Sequence, residues 1–122
     1  MATLITPHLF LPEVIRNVVQ TDRPGVYVLG NDKNGFQNGY VGRSDTCLRR
    51  RLLTHNYLYE YEYFIFIYTK TPQQAFWLES QWWHNCQESG ISNFIHPASP
   101  SGSGLECPYC HFAYHVKNLL VS

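Results

Sequence analysis

The sequence carries no net charge: nine Lys and Arg residues balance nine Asp and Glu over 122 residues. Such a chain has no overall field to draw it onto a polyanion, so any phosphate it meets must be met by a local cluster. It also lacks an uninterrupted apolar run near the roughly twenty residues that a membrane-spanning helix requires. No basic region followed by a hydrophobic signal core opens it, and an intracellular protein is the expectation. Charged residues are scarce, at 15%, while hydrophobic residues reach 44%, which excludes a disordered polyelectrolyte and fits one folded domain with a largely neutral polar surface. Repeats and low-complexity tracts are absent apart from a Pro/Ser/Gly linker at Pro97 to Gly104.

What is present is β-forming and aromatic. Aromatic residues make up 16% of the chain and crowd into Tyr57 to Tyr68, within which Tyr61 to Tyr68 reads as a central, largely apolar strand. Gly25-Val26-Tyr27-Val28-Leu29-Gly30 and Gly39-Tyr40-Val41-Gly42 read as two more strands, joined as a long hairpin through the polar loop Asn31 to Asn38. Met1 to Leu11 reads as an arm, and Pro12 opens a short helix through Gln20 with Val14, Ile15, Val18 and Val19 as its apolar stripe. Ser44 or Asp45 is the expected cap of a helix running to about His55 and carrying Arg49, Arg50 and Arg51. Thr71 and Pro72 supply cap and first-turn proline for a longer helix over Gln73 to Cys86 that carries Glu79, with Gly90 ending it. The organisation expected is therefore an N-terminal arm and helix (1–23), a main α+β domain (24–100) and a short tail (101–122) packed on the same domain.

The two short strands each deliver a tyrosine beside glycine, and the arginine-bearing helix follows the second strand directly, so phenols and guanidinium groups come to one face. In this the chain closely resembles the GIY-YIG nuclease family. Gly25-Val26-Tyr27 matches the family's first tyrosine strand and Tyr40-Val41-Gly42 its second, with Val in place of Ile in both. Arg51-Leu52-Leu53-Thr54-His55 matches the Arg-Leu-x-x-His step, Glu79 the metal-binding glutamate on a long helix, and Asn93 an asparagine near the domain end. The resemblance covers Pro24 to Pro100 and implies a small layer fold, a three-stranded antiparallel sheet flanked by helices. It also implies a metal-dependent endonuclease that hydrolyses a DNA phosphodiester, with Mg2+ or Mn2+ as cofactor.

Phosphodiester hydrolysis needs a base, an activated water, charge neutralisation and a stabilised leaving oxygen, and each need has a candidate. Glu79 would hold the metal, since one carboxylate plus waters and phosphate oxygens is an ordinary Mg2+ environment. Arg51 would neutralise charge at phosphorus, with Arg50 as the fallback because one extra residue after Gly42 shifts the helix phase. Tyr27 acts in the family as base or water positioner; its ordinary pKa near 10 leaves His55 as a competitor for the base, and Tyr40 would bind the water or the phosphate. Arg43, Arg49, Arg50 and Asn93 are candidate nucleic-acid contacts, against the ordinary reading of neighbouring arginines as a solvated face.

Near the C-terminus, Cys107-Pro108-Tyr109-Cys110 followed by His115 has the form of a structural zinc half-site, separate from the catalytic metal. His84, Cys86, His96 or His111 would complete it, and a reduced, uncoordinated pair fits the same residues. Two other functions stay open: a nucleic-acid-binding module that kept the fold and lost catalysis, and a zinc-stabilised interaction module with the tyrosines as core.

Overall fold

The computed structural model describes residues 6–31, 39–87, 97–105 and 107, with 85–87 described by backbone alone. In chain order these form β1 (His8–Leu9), α1 (Pro12–Val18), β2 (Gly25–Gly30), β3 (Tyr40–Ser44), α2 (Leu48–Leu53), β4 (Tyr63–Tyr68) and α3 (Pro72–Gln87). The fold is α+β, with an antiparallel sheet in the order β1-β4-β2-β3. Among the described residues no helix is long and apolar enough to cross a membrane.

All six residues of β2 are buried, as expected of a strand rich in Val, Leu and Tyr with both faces covered. Tyr27 and Leu29 point to one side and join Phe10, Ile15, Val19, Leu48, Leu52 and Phe64 in the main core under α1 and α2. Val26 and Val28 alternate to the other side, where α3 packs with Ala75 and Phe76. The expected apolar stripe of α1 is the face that meets this core: Ile15 and Val19 are buried, with Val14 and Val18 packed against them.

Several boundaries differ from the sequence reading; α1 stops at Val18 rather than Gln20, and β4 starts at Tyr63 rather than Tyr61. The N-terminal arm is not loose: His8–Leu9 pairs with Phe64 and Tyr63, giving the sheet a fourth strand beside the expected three. Phe10 then donates its N–H to the Glu62 carbonyl at 2.9 Å and is 1% exposed, so arm and main domain share one core. Two residues have no alternation to read, which is why this strand was invisible. The second helix starts later than expected because β3 runs on through Ser44, whose hydroxyl accepts the Cys47 N–H at 3.0 Å and closes a turn. Cys47 is the N-cap instead, its Sγ accepting from the Arg50 N–H at 3.4 Å. That helix ends at Leu53, with Thr54 as C-cap, so His55 lies beyond it. The first turn of α3 is as expected: Thr71 Oγ1 accepts the Gln74 N–H at 3.1 Å, and Pro72 follows as the first helical residue.

Phe10→Ala is expected to destabilise the whole fold by about 3–5 kcal/mol, since the arm completes the core rather than decorating it. Urea unfolding measures this; an unchanged midpoint would show that the arm is not part of the domain.

Candidate active site

The edge strand β3 leads into α2 and is crossed by α3, and a cleft of about 260 Å³ lies where the three meet. Tyr40, Gly42, Arg43, Asp45, Arg51, Glu79 and Ala98 line it. Strand alternation explains how one edge serves two helices. Tyr40 and Gly42 face the side of α2, whereas Val41 and Arg43, paired with Val28 and Val26, face α3.

Glu79 is the anomaly. Among the described side chains of α3 the buried ones are Ala75, Phe76, Glu79, Ser80 and Trp83, a helical stripe with a carboxylate at its centre. At 7% exposure that carboxylate needs a cation, and Arg43 provides one, Nη1 donating to Oε1 at 2.6 Å. The same guanidinium donates from Nε to Asp45 Oδ1 at 2.8 Å and lies 5.2 Å from the Phe76 ring centroid. Arg43 is thus clamped inside the cleft and not spread on the surface. Burial pushes the Glu79 carboxyl up to about 7, and the ion pair with Arg43 pulls it only part of the way back.

Tyr27 is fully buried and lies across Gly42, its cross-strand partner. A Cβ at Gly42 would overlap the Tyr27 Oη and Cζ, so the glycine is the condition for the phenol to lie there. No hydrogen-bond partner satisfies Tyr27 Oη, and burial drives its pKa far above the ordinary range against the opposing pull of the Arg51 guanidinium. Tyr40 is half-buried and shifted the same way, by burial first, with Arg51 again opposing. Arg51 itself is exposed, and Tyr27 first, with Tyr40 and Glu79, strengthens its hold on its proton.

His55 sits in a ring of aromatics, edge-on to Tyr27 at 5.4 Å, Tyr40 at 5.1 Å and Phe10 at 6.2 Å between centroids. Its Nδ1 accepts the Tyr57 N–H at 3.1 Å, which puts the proton of the neutral ring on Nε2, and that nitrogen is buried with no hydrogen-bond partner. Burial, reinforced by Arg51, lowers its pKa to about 4. The advantage expected for it as a base, an unaltered pKa, is therefore absent.

The structure brings Tyr27, Tyr40, Arg51, His55 and Glu79 into one neighbourhood. Arg49 and Arg50 turn away, lining a separate groove with Thr21, Asp22 and Cys47, so the three adjacent arginines serve two surfaces. Asn93, Cys110 and His115 lie outside the described residues, and Cys107 is described alone. Asp45 was missed as a site residue, having been read as a helix cap. A signal for Arg43 was available: it stands two residues from Val41 on the strand and must share its inward face. No family model, curated protein or solved structure matches the chain.

The raised Glu79 pKa has a consequence for stability. Folded, the carboxyl titrates near 7; unfolded, near its ordinary value of 4.5, so the folded state binds more protons between these values and stability falls as pH rises through that window. Above it the cost is fully present, on the order of 3 kcal/mol. Glu79→Gln, which removes this titration, is accordingly expected to compare with the wild type more favourably at pH 8 than at pH 5, by about 2 kcal/mol, on top of whatever the loss of the Arg43 partner costs at both. Thermal unfolding at the two pH values measures it; a substitution whose effect is the same at pH 5 and pH 8 would contradict the raised titration.

Proposed function

We propose that the cleft binds a phosphodiester and hydrolyses it with the help of one divalent cation, which makes the protein a metal-dependent nuclease. Within that class we infer an endonuclease of GIY-YIG type acting on DNA, the reading that the motif residues imply. The observation that carries the proposal is the convergence of Arg51, Tyr40 and Glu79, from a helix, a strand and a second helix, on one open cleft.

The donor set fits a hard cation. Arg43 already holds a positive charge between Asp45 and Glu79, and the Glu79 carboxyl stays raised even so, the mark of an under-compensated anion. Mg2+ is held by one or two carboxylates together with water and phosphate oxygens, so Glu79, with Asp45 beside it, would suffice. When bound there, the ion supplies Lewis-acid polarisation of the phosphate and a more acidic water.

The chain's own groups do the rest. Arg51, exposed and permanently protonated, pairs with phosphate oxygens and offsets charge that builds on them during attack. The Tyr40 hydroxyl donates to the phosphate or orients the water. Tyr27 and His55 both keep a stable protonation state at neutral pH, so their roles are to set the position of Arg51 and Tyr40 rather than to accept a proton. Glu79 must be ionised to receive the cation, which ties activity to its pKa near 7.

A second reading is favoured by the Arg43–Glu79 ion pair itself: a chain in which that pair never opens binds nucleic acid without cutting it.

Supercoiled and branched DNA incubated with the purified chain is expected to be nicked with Mg2+ or Mn2+ and left intact with EDTA, the rate rising with pH through about 7. Glu79→Gln should abolish cleavage, and Arg51→Ala should lower it by about 100- to 1000-fold while sparing the fold. Binding without cleavage under every metal condition would establish the binding module, and unchanged turnover in Arg51→Ala would remove that residue from the mechanism.

A further inference from the structure

We infer that His84 on α3 and Cys107 are two ligands of a structural zinc site that fastens the segment around 97–107 to that helix. Cys107 Sγ lies 3.6 Å from His84 Nε2, across 23 positions of chain. Tetrahedral zinc, with its usual bond lengths to sulfur and nitrogen, holds those two atoms about 3.5 Å apart. A thiol–imidazole hydrogen bond spans a similar distance, so the metal is selected by a second observation. Cys107 opens Cys107-Pro108-Tyr109-Cys110, the two-residue spacing that lets a second thiolate grip the same ion. Cys110, His111 and His115 lie outside the described residues; the sequence offers them as the remaining ligands, and the structure contributes His84, one of four candidates that the sequence left equal.

The location gives the ion its purpose. Glu79 and His84 stand five residues apart on α3, and the segment that reaches His84 through Cys107 also supplies Ala98 to the lining of the cleft. Fixing Cys107 to α3 therefore fixes a wall of the cleft. In a domain of this size one such bond network contributes substantially to folding. On binding, each cysteine thiol releases its proton to solvent and His84 coordinates as the neutral imidazole through Nε2, so loading strengthens as pH rises.

The test needs no nucleic acid and stands apart from the nuclease reading. The untagged full chain, produced in zinc-containing medium, is expected to carry about one zinc ion by elemental analysis. Cobalt substitution should give a thiolate-to-metal absorption band. Cys107→Ser, Cys110→Ser and His84→Ala should each lose the ion, while Glu79→Gln keeps it. Should a variant fail to fold, the wild-type chain still decides: iodoacetamide alkylation of Cys107 and Cys110, located by mass spectrometry, should be slow until a chelator strips the metal. A zinc-free wild-type chain that takes up no cobalt, full zinc in His84→Ala, or alkylation indifferent to chelator would each overturn the assignment.

Discussion

A carboxylate at the centre of a buried helical stripe is the constraint around which the rest of this molecule is arranged. Leucine at position 79 would complete the apolar face of α3; glutamate there demands a positive charge from whatever the helix packs on. That demand is met by Arg43, which turns inward from β3, and Asp45 beside it shares the guanidinium. One guanidinium does not fully offset the burial of one carboxylate, since Glu79 remains raised to about 7. A fold that retains such an imperfect compensation next to an open cleft has a cation-seeking group where a ligand can reach it.

The opposite side of the cleft rests on a different economy, that of space. Gly42 has no side chain, the Tyr27 phenol fills the room so made, and Tyr27 in turn acts on Arg51 and packs against His55. His55 completes the set by touching Tyr40 and Phe10. The tyrosines and the histidine thus form a layer beneath the exposed arginine, and the N-terminal arm reaches that layer through Phe10. Phe10, on the arm, lies edge-on to His55, which in turn lies edge-on to Tyr27 and Tyr40.

Much of this was legible from residues alone. The strands β2 and β4 announce themselves by β-branched and aromatic density, α3 by Thr71 and Pro72, and α1 by Pro12 and its apolar spacing. The matched motif residues Tyr27, Tyr40, Arg51, His55 and Glu79 do lie together, which spacing along the chain does not by itself require. What escaped reading depended on long-range partners. His8–Leu9 is a strand only because Tyr63 and Phe64 offer an edge. Asp45 looked like a cap because its partner Arg43, two residues before it, is held in the cleft by Glu79, 36 positions further on. The protonation behaviour of Tyr27 and His55 follows from burial by residues distant in sequence: it takes Tyr27 further from acting as a base and removes the advantage that an ordinary pKa gave His55.

The claim that most needs testing is that Glu79 is a buried, cation-seeking carboxylate. Its titration can be followed directly by carbon NMR of the labelled side chain, without and with Mg2+. The expected result is a midpoint near 7 in the absence of metal that moves well down when Mg2+ is added. A midpoint near the ordinary value of 4.5, unmoved by Mg2+ or Mn2+, would contradict both the burial argument and the metal site built on it.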